Sequence, residues 1–174
     1  MIIGLVGLPR CGKSTFAKRL QNEWRFFILN RDSIRLKVYG HRFFKGGEDF
    51  VRGVSKTMLQ ILFDQDINVV IDETNLTQYH RDEYEKLVKD QINWIYFNPT
   101  DKVIKTCRVR AIETNQNDLL PVIDGMIQSI SAPEKHFLAS ANHLGEIINT
   151  STSIYSSRVK DEGEFIEFMD HNAL

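Results

Sequence analysis

The sequence predicts an α/β fold in which helices cover both faces of a parallel sheet of about five strands. Short, continuous apolar segments alternate with longer segments whose apolar residues recur every three or four positions. This alternation is typical of buried parallel strands that are joined by crossover helices. The chain has 174 residues, of which 42% are apolar and 26% charged, which is ordinary globular usage. We therefore expect one domain spanning residues 1–174.

The predicted elements alternate along the chain. Continuous apolar runs predict strands at 1–6, 25–30, 68–72, 92–98 and 146–149. Helical spacing of apolar residues predicts helices at 13–24, 32–39, 48–65, 77–89, 101–114 and 119–130. In the 48–65 helix we expect the core-facing stripe to comprise Phe50, Val54, Met58, Ile61 and Leu62. We assign no element to the tail at 150–174, whose last part is acidic.

Charge and cysteine content exclude several classes of protein. With 22 basic and 23 acidic residues the net charge is -1, which excludes a uniformly basic nucleic-acid coat but not a local basic patch. No apolar segment approaches the length of a membrane span, so we expect no membrane association. Cys11 and Cys107 cannot build a disulfide scaffold, which favours a reducing cytoplasm, the host cytoplasm if the protein is viral.

A phosphate-binding motif follows the first predicted strand. Residues 7–14 read Gly-Leu-Pro-Arg-Cys-Gly-Lys-Ser and fit the pattern G-x-x-x-x-G-K-[ST]. The glycines let backbone amides approach phosphate groups, Lys13 supplies a charge for the β- and γ-phosphates, and the Ser14 hydroxyl can bind magnesium. The residues expected to contact the nucleotide are Gly7, Leu8, Pro9, Arg10, Cys11, Gly12, Lys13, Ser14 and Thr15.

Two chemically useful residues follow the second predicted strand. Ligand sites of open parallel sheets lie beyond the carboxyl ends of the strands, and Asp32 follows such an end. A carboxylate there can accept the proton of an attacking hydroxyl, and Arg35, one helical turn later, can hold a substrate phosphate. The alternative is that Asp32 caps a helix and Arg35 lies on the surface, and the two interpretations are compatible.

An acidic pair, Asp72 and Glu73, follows the third predicted strand. P-loop enzymes keep an acid for the magnesium sphere at this point. We therefore expect Ser14 and Asp72 to bind the metal, with Glu73 as the alternative to Asp72. The simpler interpretation is an acidic residue that starts a loop beside the turn-forming Asn75.

Basic residues gather in two further segments. The 101–114 helix carries Lys102, Lys105, Arg108 and Arg110, and in kinases a basic segment of this kind closes over the nucleotide and stabilises the transferring phosphoryl group. Between residues 31 and 56, seven basic residues outnumber three acidic ones. Because this segment flanks Asp32, it favours an acceptor that bears phosphate. The alternative in both segments is a solvated basic surface.

Three motifs together resemble the 5′-polynucleotide kinase domain of phages and of eukaryotic end-repair enzymes, within the P-loop kinase group. They read GLPRCGKSTFAKRL, ILNRDSIR and VVIDETNLTQYHRDEY, and their order and spacing agree over about residues 1–130. The first motif is common to many NTPases, so the other two carry the specificity. The resemblance implies a P-loop NTPase fold with a helical lid at about 100–130.

The same resemblance implies ATP-dependent transfer of the γ-phosphate to a 5′-hydroxyl end of DNA or RNA, as in nucleic acid repair, with Mg²⁺ as cofactor. It makes Lys13, Asp32, Arg35 and Arg110 the catalytic residues. Asp32 is then the general base, Arg35 contacts a substrate phosphate, and Arg110 is the lid arginine, with Arg108 as its alternative. Nucleic acid ends are the expected partner. Some relatives carry a phosphatase domain that this chain is too short to hold, so we expect kinase activity only.

Two other functions stay open. A P-loop kinase of a nucleoside, nucleotide, other small molecule or hydroxymethylated DNA base would use Lys13 and Asp32 in the same way. An ATPase module that passes no phosphate to an acceptor would need no general base at Asp32.

Overall fold

Six strands form one sheet in the computed structural model, which describes residues 1–41, 44–133, 136–139 and 147–149. In chain order they are β1 (Ile2–Val6), β2 (Phe27–Leu29), β3 (Val69–Ile71), β4 (Ile92–Phe97), β5 (Phe137–Ala139) and β6 (Ile147–Asn149). Their spatial order is β2-β3-β1-β4-β5-β6, in which the first five run parallel and β6 pairs antiparallel with β5. The predicted α/β fold with a parallel sheet is confirmed, but the strand predicted at 146–149 is the antiparallel β6, and the fifth parallel strand is β5.

Within the described ranges, six α-helices accompany the sheet. They are α1 (Lys13–Trp24), α2 (Arg31–Tyr39), α3 (Glu48–Asp64), α4 (Gln78–Glu85), α5 (Asp101–Glu113) and α6 (Leu119–Ile127). A single 3₁₀ turn, Lys45–Gly47, precedes α3. Gly40 ends α2 with a φ of 74°, a left-handed conformation that glycine adopts without steric cost. None of the helices described has the length and apolar character that a membrane crossing requires.

Apolar side chains cover both faces of the sheet. On one face, Phe16 and Leu20 of α1 pack with Ile3 and Leu5 of β1. On the other face, α3, α4 and the turn after it pack against alternate strand residues, in a cluster formed by Ile2, Leu29, Leu59, Val69, Ile71, Tyr84 and Val88. Because successive strand residues face opposite sides, the continuous apolar runs of the sequence serve both clusters.

The helices predicted to form a lid, α5 and α6, pack against each other and against the phosphate loop. Val103, Cys107 and Ile123 form the centre of this cluster, and Leu8 of the loop is fully buried in it. The lid helices are therefore joined to the phosphate loop by apolar contact.

The buried face of α3 differs from the predicted stripe. The prediction was wrong for Phe50 and Ile61, which are exposed, because the buried positions are Val51, Ser55 and Leu59. Ser55 occupies the core-facing side because its hydroxyl forms a buried hydrogen bond of 3.1 Å with a tyrosine hydroxyl of α4. Because a polar residue lies on the buried face, the apolar pattern predicted the wrong core-facing positions for this helix.

Several predicted boundaries also need correction. α4 ends at Glu85 instead of residue 89, because the amides of Leu87 and Val88 bond three residues back and tighten the chain into turns. α6 ends at Ile127 instead of residue 130. The strand β5 was not predicted, since a three-residue strand carries too little sequence pattern. The predicted tail at 150–174 lies outside the described residues.

Candidate active site

The phosphate loop joins β1 to α1, and two of its positions need glycine. Gly12 has a φ of 112°, which L side chains rarely adopt. A side chain on Gly7 would place its Cβ 2.8 Å from both the Sγ of Cys11 and the Cβ of Phe97. The Gly7 amide donates to the carbonyl oxygen of Thr74, 3.1 Å away, which attaches the loop to the segment after β3.

Lys13 begins α1 and is buried against the loop. Its Nζ donates to the carbonyl oxygens of Gly7 (3.0 Å) and Leu8 (2.7 Å). The N-cap residue, Gly12, provides no side-chain oxygen to the amides of the first turn. A buried ammonium beside uncapped N-terminal amides is suited to an anionic phosphate.

The other residues predicted to contact nucleotide differ in exposure. The fully buried side chain of Leu8 leaves only its backbone for a ligand. Pro9 and Cys11 are half-buried, whereas Ser14 and Thr15 are exposed at the start of α1. The loop therefore presents mainly backbone, Lys13 and two hydroxyls.

Ser14 and Asp72 meet at the carboxyl edge of the sheet. The Ser14 hydroxyl lies within reach of the Asp72 carboxylate, and the charge of Lys13 acts on the same group. Burial raises the pKa of Asp72, while the Ser14 hydrogen bond and the Lys13 charge oppose that rise. The structure thus brings together the two residues predicted to bind magnesium.

Glu73 belongs to a different set of contacts. Its carboxylate forms an ion pair with Arg31 and accepts a hydrogen bond of 2.9 Å from the Tyr84 hydroxyl. Burial raises the pKa of Glu73, and the Arg31 charge opposes the rise. Because Glu73 is engaged by α2 and α4 while Asp72 contacts Ser14, the geometry favours Asp72 as the metal ligand.

The donor atoms at this edge suit Mg²⁺. Magnesium is usually held by one or two carboxylates together with substrate phosphates and water. The hydroxyl of Ser14 and the carboxylate of Asp72 supply two such oxygens, already in contact. Among the residues described, no three His, Cys, Asp or Glu side chains group closely enough to hold a metal by themselves. A magnesium ion here would therefore depend on phosphate oxygens to complete its sphere.

Asp32 lies in the first turn of α2, beside this pair. Its carboxylate is 65% exposed, and its charge acts on Asp72. Asn30 is the N-cap of α2, accepting from the Ser33 amide at 2.9 Å, while its own side-chain amide donates to the Asp72 carbonyl oxygen at 2.6 Å. The alternative prediction for Asp32 was that it caps the helix. The cap belongs to Asn30, which leaves Asp32 accessible.

Arg35 is engaged by two acids. Its Nε and one terminal nitrogen each donate to Glu48 at 2.6 Å, and the other terminal nitrogen pairs with Asp32. The Glu48 hydrogen bond outweighs burial and raises the pKa of Arg35. The arginine predicted to contact a substrate phosphate is therefore placed beside Asp32 and held there by the first residue of α3.

The two candidate lid arginines have different surroundings. A terminal nitrogen of Arg110 donates to the carbonyl oxygen of Arg10 at 3.0 Å, so Arg110 contacts the phosphate loop directly. Arg108 forms an exposed ion pair with Asp124 of α6. The two lysines of α5 are exposed. The geometry favours Arg110, because residues two apart on a helix lie on different faces.

The basic segment at 31–56 is partly neutralised by acids. Three of its cations form ion pairs, namely Arg31 with Glu73, Arg35 with Glu48 and Lys56 with Glu83. Lys37 and Lys45 are exposed, and Arg42 lies outside the described residues. The described part of this surface is therefore less positive than the sequence count suggests.

Two buried polar residues for which no role in the site was predicted support it. Arg81 of α4 is 1% exposed and donates to the carbonyl oxygens of Asn75 (2.9 Å) and Ser131 (3.1 Å). The Asn75 side chain donates to the carbonyl oxygen of Leu5 in β1 at 2.9 Å. These bonds attach the segment after β3 to its neighbours. The available signal was the helical spacing of Arg81 with the buried Tyr84 of α4 and with Val88 in the turn after it.

The parallel sheet, the phosphate loop and the Ser14–Asp72 contact define a P-loop kinase fold. The chain belongs to the AAA_33 family, described as an AAA domain, whose model matches residues 2–132. No curated protein matches the sequence.

Solved structures share this fold at low sequence identity. A gluconokinase from Sinorhizobium meliloti 1021 has 12% identity and a TM-score of 0.55, with 82% of this chain and 83% of that chain covered. The Mycobacterium tuberculosis APS kinase CysC, in complex with AMPPNP and APS, has 12% identity and a TM-score of 0.61, with 97% and 96% covered. A chain of the Pnkp1/Rnl/Hen1 RNA repair complex has 22% identity and a TM-score of 0.51, with 76% of this chain but only 47% of that chain covered.

Proposed function

We propose that the chain is an ATP-dependent kinase that transfers the γ-phosphate to a 5′-hydroxyl end of DNA or RNA. The observation that carries this proposal is the position of Asp32, an exposed carboxylate in the first turn of the helix after β2, whose charge acts on Asp72. A general base must be within reach of the hydroxyl that attacks the phosphate. An exposed acid beside a phosphate site meets that requirement, whereas a protein that only hydrolyses ATP has no use for an acceptor base.

Each residue of the site has its own role in the phosphate transfer. Bound MgATP supplies the phosphoryl group, and its metal neutralises charge on the phosphate oxygens. Ser14 and Asp72 hold the metal, and Lys13 binds the β- and γ-phosphates. Asp32 takes the proton of the 5′-hydroxyl while that oxygen bonds to the γ-phosphorus. The bond between this phosphorus and the β–γ bridging oxygen breaks, and ADP leaves.

Two arginines act on the charges of the reactants. Arg110, which is bonded to the loop at Arg10, stabilises charge on the transferring phosphoryl group. Arg35 binds the phosphate next to the accepting end. A guanidinium has five N–H donors. Glu48 and Asp32 engage three of the donors of Arg35, so two stay available for that phosphate.

Two similarities support a nucleic acid acceptor. The segments at 28–35 and 69–84 resemble the 5′-polynucleotide kinase motifs, and they contain Asp32, Arg35 and Asp72. The chain also shares its fold with a chain of an RNA repair complex at 22% identity.

Transfer of label from γ-labelled ATP to oligonucleotides tests the proposal. DNA and RNA oligonucleotides with a 5′-hydroxyl should become labelled in the presence of Mg²⁺, and the same oligonucleotides with a 5′-phosphate should not. If the protein binds ATP but labels neither DNA nor RNA, the proposal is wrong.

A kinase of a small-molecule acceptor is the second candidate, and the ion pairs of the basic segment favour it. Glu73, Glu48 and Glu83 each form an ion pair with a cation of that segment, which lowers the positive charge that it presents to a polyanion. The gluconokinase and APS kinase structures cover more than four fifths of this chain. Labelling of a sugar, nucleoside or nucleotide in the same assay, without labelling of oligonucleotides, would select this candidate.

A further inference from the structure

Three aromatic rings stand together at the junction of α2 and α3. The Tyr39 ring lies 4.9 Å from that of Phe44 and 6.5 Å from that of Phe50, between ring centroids. Phe44 is 46% exposed and Phe50 is 55% exposed. We refer to Tyr39, Phe44 and Phe50 as the aromatic platform. Neighbouring exposed aromatic residues cost free energy in water and mark surfaces that bind a partner.

Local packing holds the platform in place. The Tyr39 ring lies against the backbone of Gly47, where an added Cβ would come within 2.4 Å of the ring. The 3₁₀ turn Lys45–Gly47 places Phe44 at the start of α3, and the first turn of α3 is bonded to α2 through Arg35 and Glu48. The two exposed rings therefore project from a supported junction.

The platform is aligned with the acceptor site. Asp32, Arg35, Leu36 and Tyr39 follow one another at helical spacing and form a stripe along a single face of α2. Leu36, in the middle of this stripe, is 52% exposed. At 1.5 Å of rise per residue, the helix axis advances about 10 Å from Asp32 to Tyr39. Adjacent phosphates of one strand are about 3.4 Å apart along the axis of a stacked duplex and farther apart in an extended single strand, so this distance covers at most about three nucleotides.

We infer that the aromatic platform stacks a nucleobase of the acceptor strand, within the first four nucleotides from the 5′ end. This inference rests on the proposed function. Two cations lie near the platform beside the exposed Asp49: Lys45 is exposed directly after Phe44, and the charge of Arg52 acts on Glu48 at the same junction. Aromatic surfaces with adjacent cations bind single strands without reading sequence, because every base has a π-face. The acceptor class is thus a single-stranded end, longer than one nucleotide.

A double-mutant cycle, in which one change is made in the protein and the other in the oligonucleotide, tests this inference. Wild type and the double variant Phe44→Ala/Phe50→Ala are compared on 5′-hydroxyl oligonucleotides that carry an abasic residue at position 2, 3 or 4. For each protein, the KM is expressed relative to that of a nucleoside 3′-monophosphate, which has no second base. In wild type, one abasic position should raise the relative KM about 10-fold. The double variant should show a similar rise on the intact oligonucleotide and no further rise on the abasic one.

Control variants separate stacking from folding. Phe44→Leu/Phe50→Leu keeps apolar volume at the junction but removes the rings, and it should show the same loss as the alanine variant. Phe27→Ala removes an exposed ring at the amino end of β2, the opposite edge of the sheet, and should leave the relative KM within twofold of wild type.

The outcomes separate this inference from the proposed function. If wild type labels oligonucleotides but the variant and abasic effects are additive, or absent, the platform does not stack a base and only the inference fails. If wild type labels no oligonucleotide, the proposed function fails and the inference with it. Sedimentation velocity provides a third outcome. If wild type is a dimer and the alanine variant is a monomer, the platform binds a second copy of the chain, and the inference is wrong.

Discussion

The side-chain amide of Asn30 donates a hydrogen bond of 2.6 Å to the carbonyl oxygen of Asp72 and lies 3.3 Å from one of its carboxylate oxygens. Asn30 is also the N-cap of α2, the helix that carries Asp32. One residue therefore connects the candidate general base to the candidate metal ligand across two neighbouring strands. The geometry of the site depends on this connection.

Replacing Asn30 with serine should reduce activity without unfolding the protein. Serine is a good N-cap, so the melting temperature should stay close to that of wild type. It lacks the amide that holds Asp72, and loss of a group that orients a metal ligand typically costs 10- to 100-fold in activity. Label transfer at saturating MgATP, beside thermal unfolding, measures both effects. Activity equal to wild type would show that the Asn30–Asp72 contact does not position the site.

The ion pair between Arg35 and Glu48 should give stability that depends on pH. The hydrogen bonds from Arg35 hold the pKa of Glu48 below its ordinary value of 4.5. A carboxylate with a lowered pKa stabilises the fold above its unfolded pKa, and this contribution is lost as the pH falls through the folded pKa. Wild type should therefore be more stable than Glu48→Gln at neutral pH, and the difference should shrink below about pH 4.5. Urea unfolding at several pH values measures it, and a difference independent of pH would contradict the assignment.

Two glycine substitutions should have opposite effects on stability. In Gly4→Ala the new Cβ would lie 2.2 Å from the indole ring of Trp94, and such overpacking costs about 1–3 kcal/mol. Gly53 lies in α3 with no neighbouring atom within 4 Å of an added Cβ. Gly53→Ala should stabilise by about 0.5–1 kcal/mol, because alanine loses less backbone entropy in a helix. Denaturant unfolding measures the free energy of unfolding of both variants. If both substitutions change this free energy in the same direction, the packing described is wrong.

The two cysteines should differ in reactivity. Burial raises the pKa of Cys107 to about 11, so little of it is thiolate at neutral pH. Cys11 is half-buried in the phosphate loop. A thiol reagent should modify one residue per chain in the native state, and Cys11→Ser should abolish this reaction whereas Cys107→Ser should not. MgATP should slow the reaction, because a bound nucleotide covers the loop. Modification of Cys107 in the native protein would contradict its burial.

The sequence was sufficient to predict the phosphate loop and its surroundings. A buried strand, a glycine-lysine-serine loop and an amphipathic helix are local patterns, and the structure has all three at the predicted positions. The contact between Ser14 and Asp72 was also predictable, because the carboxyl ends of parallel strands share one edge of the sheet.

Other features depend on contacts between distant residues and leave no local pattern. The pairing of Arg35 with Glu48 spans 13 residues and depends on how the α2–α3 junction brings the two helices together. The exposure of Phe50 follows from the place of Ser55 on the buried face of α3, where a partner on α4 satisfies its hydroxyl. An apolar count favours phenylalanine over serine for the core, so periodicity alone selected the wrong face.

The rate of phosphate transfer by Asp32→Asn tests the central claim most directly. Asparagine keeps the size of the side chain but cannot accept the proton of the 5′-hydroxyl. Single-turnover transfer to a 5′-hydroxyl oligonucleotide should fall about 100- to 10,000-fold, while MgATP binding should stay close to that of wild type. Asp49→Asn, which changes an exposed acid in the first turn of α3, is the matched control and should retain activity. Transfer by Asp32→Asn at the wild-type rate would contradict the assignment of Asp32 as the general base.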